Sequence, residues 1–536
     1  MKNTMKKSVN LPMTAGVISL SVVLVACCCW SALGQEVPVR TLDLLPTPAN
    51  RRNSEGAFVT LKEGRVLFVY THFTGGGGDH SAAHLAGRTS SDGGRTWTKE
   101  DQLIVKNEGG LNVMSVSLLR LQSGEIALFY LLKNSKQDCR PAMRLSTDEG
   151  ATWGEPVMCI TDEVGYYVLN NDRAIQLKDG RMVLPVCLHW PQGAQEADWQ
   201  GTLMCYLSDD NGKSWRRSKT AQKTFDAAGK RVTTQEPGVV ELQDGRVMMF
   251  TRASGGYQYL SYSSDGGDTW SVPVPSEIRS PVSPASIKRL PTTGDLLLVW
   301  NDHDGVPASL TRRRVPLSTA ISKDDGKTWQ CVKVLEGNMW GHYCYIAVQP
   351  VDNAVLLGYC AMSGLCHTRV TRVPVAWLYS PLQLEKVKPE PLLFDKAAMG
   401  PFERLETRLG VWTAETGHAE VHSSRQSRGI KGVRLQGGVD RQVTLTLPQP
   451  VSSSLLSSFA IERFAAGTPY VFTAEALTDA GWRIVYEQGE DTPTGQSYYI
   501  KVQAQAPRAS QFRFRCTSAL GAIIGPSVDF HGYFKD

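Results

Sequence analysis

The chain has 536 residues, 42% of them apolar and 20% charged, with a formal net charge of +5. That length exceeds what one hydrophobic core ordinarily serves, so two domains are expected, and the composition is that of a folded, soluble protein. Lys2, Lys6 and Lys7 carry three of the positive charges, and the near-neutral remainder gives no basis for a nucleic-acid partner.

Residues 1–34 read as an export signal: Lys6 and Lys7, an apolar run from Pro12 to Ala26, then small residues. Two processing sites compete. Leu24-Val25-Ala26-Cys27 resembles a lipobox that would leave a lipidated Cys27, and Ala32-Leu33-Gly34 is a small-x-small site ahead of Gln35. The expected location is therefore the periplasm, the cell surface or the medium, with a membrane contact only through a lipid on Cys27. The run falls short of the roughly 20 residues a membrane-spanning helix needs.

From residue 40 to 395 two patterns alternate. The first is a hairpin, two period-two apolar runs around a Gly or Asp turn. Its six copies are 55–70, 115–130, 173–186, 238–250, 285–300 and 345–359. The second, Ser-x-Asp-x-Gly-x-(Thr/Ser)-Trp, occurs five times: Ser90–Trp97, Ser146–Trp153, Ser208–Trp215, Ser263–Trp270 and Ser322–Trp329. Its Asp and Ser side chains suit a tight turn, its Gly a positive φ, and its Trp a seat beneath the turn. Repeats some 55 to 62 residues apart mark repeated supersecondary units. The order predicts an all-β fold, a six-bladed β-propeller whose ring is closed by the extended stretch before Arg51. Residues 400–536 show further alternating runs and predict a C-terminal β-sandwich or jelly roll, which would bind carbohydrate or brace the propeller. Of the 12 cysteines, three cluster at Cys27–Cys29; the other nine lie mostly in strand-like runs without a CxxC spacing, and read as buried thiols.

In such a blade, strand one begins and strand two ends at the same end, while the Asp motifs lie at the other. The first of these ends, the top, therefore collects Arg52, Glu236 and Tyr343 before strand one, and Asp79, Arg252 and Arg312-Arg313-Arg314 after strand two. Arginines from three separated blades on one pocket call for an anion, and a planar carboxylate suits their paired N–H groups.

These segments resemble the sialidase (neuraminidase) family. Asp79 precedes the Ser90 motif as that family's acid/base Asp precedes its first motif. QEPGVVELQDGRVMMFTR carries Glu236 and Arg252, Arg314 stands ahead of the Ser322 motif, and HYCYIAV offers Tyr343, with Tyr345 as second choice. The likeness is to a divergent branch: Arg52-Asn53-Ser54-Glu55 replaces the usual Arg-Ile-Pro, with Arg51 also available, and Cys360 stands where a Glu commonly orients the first Arg, a role Glu55 can take over. The resemblance implies a retaining exo-α-sialidase that removes terminal sialic acids from glycoproteins, glycolipids or oligosaccharides and needs neither cofactor nor metal. Tyr343 would be the nucleophile, Glu236 its base and Asp79 the acid/base; Arg52, Arg252 and Arg314 would hold the substrate carboxylate. Asp172 and Arg173 at the start of the third hairpin would contact the sugar's glycerol or N-acyl group, or form a turn. A trans-sialidase and a non-catalytic glycan-binding propeller are the alternatives.

Overall fold

A computed structural model describes residues 36–47, 49–304, 306, 313–337, 342–361, 367–380, 393–394, 396–423, 431–451, 456–463, 470–488, 498–505 and 509–530. The expected export signal and Arg312 lie outside these residues. The described chain is nearly all β, its one α-helix being the short Val375–Tyr379.

The six hairpins each open an antiparallel sheet, here A to F. Their first strands are Arg52–Thr60, Asn112–Arg120, Ile175–Gln176, Thr234–Glu241, Ser286–Arg289 and Cys344–Val351. Sheets A, D and E each have four strands in chain order. Sheets B and C are joined by one parallel pairing, Tyr166 with Cys139. Sheet F takes its fourth strand from far away: Val39–Leu44 pairs antiparallel with Thr368–Pro374, as the extended stretch before Arg51 was expected to do.

Apolar alternation on both faces of each sheet leaves two faces to bury, and the sheets bury them against one another in cyclic order. Phe58 and Phe68 of A meet Ala347 and Leu356 of F, and Leu290 and Val299 of E meet Val348 and Leu357 of F. Separate clusters join A to B, B to C, C to D and D to E. Each motif Trp enters one of them: Trp97 packs at F/A, Trp153 at A/B, Trp215 at B/C, Trp270 at C/D and Trp329 at D/E.

All five motifs form the same turn. In the fourth, Ser263 Oγ donates to Asp265 Oδ1 at 2.8 Å and accepts from Gly267 N at 2.8 Å, and Thr269 donates to Asp265 through N at 2.9 Å and Oγ1 at 2.7 Å. Register puts these turns opposite the candidate site. Arg52 pairs with Phe73 and Phe73 with Ala83 at one end of sheet A, while Val66 pairs with Ser90 at the other.

Residues from 400 onward form two further six-stranded antiparallel sheets. They share one core, in which Trp412, Phe472 and Phe514 of one sheet face Val433, Leu435 and Ile524 of the other.

Candidate active site

One backbone device recurs at the top end. Glu55, Ser115, Asp172, Glu236 and Tyr345 all have positive φ, at 53°, 64°, 59°, 49° and 57°. In sheets A, B, D and F the residue sits in a register break of the first strand: Ser54/Ala57, Met114/Ser117, Gln235/Gly238 and Cys344/Ala347. A bulge turns a side chain out of the strand's alternation, and a non-glycine residue held there costs on the order of 1–3 kcal/mol, supplied by the surrounding fold. Asn171 braces two of these bulges, its Nδ2 donating to Gly56 O at 2.8 Å and Tyr345 O at 3.0 Å. Close packing behind the first bulge explains Gly56, where a Cβ would come within 2.6 Å of the Phe68 ring.

The device corrects the sequence reading of the tyrosine. Tyr343 lies in the apolar cluster between sheets E and F, its ring centroid 6.3 Å from that of Tyr359. The hydroxyl beside the carboxylate is that of Tyr345, donating to Glu236 Oε1 across a long 3.4 Å. An apolar strand follows either residue, so the local pattern cannot separate them; the bulge decides.

Glu236 also meets Arg252, Nη1 to Oε1 at 2.9 Å, and its Oε2 is buried without a hydrogen-bond partner. Burial opposes its charge, but Arg252 and then Arg314 outweigh burial and hold the carboxyl below its ordinary range. The Arg314 guanidinium lies 5.5 Å from the centre of the Tyr345 ring. Burial first, then the charge of Glu236, pushes the Tyr345 phenol well above its ordinary value, so it stays protonated.

Arg52 is committed within its own sheet. Its Nε donates to Ser54 Oγ at 2.9 Å, Nη1 to Asp79 Oδ1 at 2.5 Å and Gly77 O at 3.3 Å, and Nη2 to Glu55 Oε1 at 3.0 Å. Phe73 lies under the guanidinium at 4.6 Å. Glu55 thus holds Arg52. Burial raises the Glu55 carboxyl to about 7, with Arg52 opposing the rise and Asp79 adding to it. Arg52 outweighs burial at Asp79 and holds that carboxyl down.

Sequence reasoning missed two residues that fix the Asp79 loop. Lys133 Nζ and Asn112 Nδ2 both donate to the Asp79 carbonyl, at 2.8 and 3.0 Å, and Asn112 also reaches Ser81 O at 2.8 Å. Both signals were in place: Lys133 ends strand two of its hairpin, Arg252 stands one residue before that end in sheet D, and Asn112 begins strand one.

Asp172 and Arg173 serve the scaffold. Asp172 bonds Lys288 Nζ at 2.6 Å and Val348 N at 2.8 Å. Arg173 donates to Ala285 O at 2.7 Å and Ser286 Oγ at 3.2 Å and lies 5.3 Å over the Phe250 ring. Their hydrogen bonds join the third hairpin to sheets E and F, so the turn reading fits better than a substrate contact. Of the remaining histidines near Asp79, His84 stacks on His72 at 4.6 Å and His80 meets Tyr166 edge-on at 6.3 Å.

Residues 112–356 match the family model described as a BNR repeat-like domain. A sialidase of Micromonospora viridifaciens is 27% identical over 460 residues, 76% of this chain and 65% of the relative. A sialidase of Bacteroides fragilis is 29% identical over 215 residues, 37% of this chain and 36% of the relative. The chain therefore spans less than two thirds of the length of these curated relatives. Among solved structures, a Trypanosoma rangeli sialidase complexed with a difluorinated nononic acid superposes with a TM-score of 0.50 at 13% identity, covering 92% of this chain and 96% of that one, a likeness of fold. The chain is thus similar to sialidases, and its residues 112–356 to BNR repeat-like domains.

Proposed function

We propose that sheets A to F form a closed six-bladed propeller, followed by a β-sandwich, and that the protein is a retaining exo-α-sialidase acting on terminal sialic acids of glycoconjugates. The observation that carries this reading is the Tyr345–Glu236 pair under two guanidiniums. Sialic acid bears a carboxylate on its anomeric carbon, so a carboxylate nucleophile would meet like charge, whereas a neutral phenol does not. A phenol with a raised pKa is a poor nucleophile until a base takes its proton, and Glu236, ionised and with one oxygen unpartnered, supplies that base. The Tyr345 oxygen attacks the anomeric carbon as its proton passes to Glu236. Asp79 protonates the departing glycosidic oxygen, and a water activated by Asp79 then releases the sugar with retained configuration. Arg252 and Arg314 grip the carboxylate, joined by Arg52 once Asp79 lets go. The N-terminal 34 residues suit an exported enzyme.

Hydrolysis of a fluorogenic aryl sialoside tests the assignment. Tyr345→Phe should lower turnover roughly a hundred- to ten-thousand-fold while retaining affinity for the free sugar. Tyr343→Phe should keep most of its turnover; the reverse order would return the nucleophile to Tyr343, and an inactive wild-type chain would reject the enzyme.

A further inference from the structure

We propose that Glu55 and Asp79 act as a carboxyl pair on one guanidinium, so that a substrate carboxylate seated on Arg52 enters together with one proton. The inference rests on the sialoside reading above and concerns how the acid becomes loaded. Of the five N–H groups of a guanidinium, Arg52 spends four bonds on Ser54, Asp79, Gly77 and Glu55. A ligand carboxylate can gain a paired grip on it only by taking the place of a carboxylate already there.

Three carboxylates gathered against the largely buried Arg52, with Lys133 beside them, would crowd like charge, and a proton relieves the excess. Glu55 is only 5% exposed and is fixed on its far side by Ser54, Oγ to Oε2 at 2.9 Å, so it stays. The Asp79 side chain is 58% exposed on a glycine-rich loop and is free to leave. Lys133 and Asn112 hold that loop through the Asp79 carbonyl, so release of the carboxylate leaves the loop in place. The residue that leaves is the one that must be protonated to act as the acid. Glu55 is thus a positioning residue, keeping Arg52 in place while its second partner changes. Besides each other and Arg52, the titratable groups acting on Glu55 are Lys133, Cys360, Tyr345 and Tyr166; those acting on Asp79 are Lys133, His80 and Tyr166.

Calorimetric titration of the full chain with 2-deoxy-2,3-didehydro-N-acetylneuraminic acid, between pH 5.5 and 8.5, tests this. Wild-type Kd should rise about tenfold per pH unit above neutrality, and buffers of different ionisation enthalpy should report uptake approaching one proton. Glu55→Gln should flatten the rise to less than threefold per unit and bind more tightly than wild type at pH 8.5; Glu55→Asp should restore the slope. A flat wild-type profile without proton uptake, or an unchanged slope in Glu55→Gln, overturns the inference and leaves the sialoside reading standing. Should Glu55→Gln not fold by circular dichroism, wild-type proton uptake decides alone. A wild-type chain that binds nothing at any pH sinks that reading, and this inference with it.

Discussion

Tyr345 and Arg173 show how a side chain's role follows from where the backbone turns it. Only Cys344 separates Tyr343 from Tyr345, yet one ring fills a core cluster and the other meets Glu236. Arg173 presents the opposite case, a cation in the right segment whose hydrogen bonds are spent on Ala285 and Ser286. Burial lowers its pKa to about 10, so it remains charged at neutral pH and needs those acceptors. Arg173→Met should therefore destabilise the fold by about 2–4 kcal/mol in denaturant unfolding, because two buried acceptors lose a charged donor. Its affinity for carboxylate ligands should fall far less than that of Arg314→Ala; comparable losses would restore Arg173 to the substrate site.

Five Ser-x-Asp turns close the ends of strands remote from the site, and their hydrogen bonds make them pH-sensitive. Thr152 and then Ser146 hold the Asp148 carboxyl at about 2, and Thr328 and then Ser322 do the same for Asp324. An unfolded Asp titrates near 3.9. Carboxyls depressed in the folded state stabilise it above that value and lose the contribution as pH falls through about 4 towards 2, so thermal stability should decline across that window. Ser263, only 2% exposed, bonds both Asp265 and the Gly267 amide. Ser263→Ala should cost about 1–3 kcal/mol and lower the melting temperature while leaving kcat on an aryl sialoside within about twofold. A large loss of kcat at an unchanged melting temperature would contradict the structural assignment.

At the scale of the molecule, the N-terminal strand Val39–Leu44 completes the last sheet, so residues far apart in sequence share one ion network. Asp43 meets His367 at 2.7 Å and Arg369 at 2.8 Å, and Arg369 continues to Glu336 at 2.7 Å, itself bonded to Arg40 and Tyr359. Arg369 and Glu336 side chains are each 4% exposed, and removing one partner of such a network typically costs about 3–5 kcal/mol. Asp43→Ala should fall at or below the lower end of that range, since Arg369 keeps Glu336. Its amides in Val39–Leu44 should lose hydrogen-exchange protection before the rest of the fold; uniform loss would mean the strand does not open separately.

The sequence alone determined the six hairpins and five turns, because period-two alternation and turn chemistry are local properties. It also put Asp79, Glu236 and Arg252 forward as candidates, since strand ends carry polar residues where an apolar strand would otherwise continue, while the family resemblance singled out Arg314. The tertiary structure alone decided that Tyr345 and not Tyr343 meets Glu236, that Arg173 belongs to the scaffold, and that Arg52 is shared between Glu55 and Asp79. Each of those outcomes depends on a positive-φ bulge or on a partner in another strand or sheet. Neither can be placed from the residues alongside, because a one-residue slip in alternation does not say which side chain it turns out, and a partner in another sheet is not a local property.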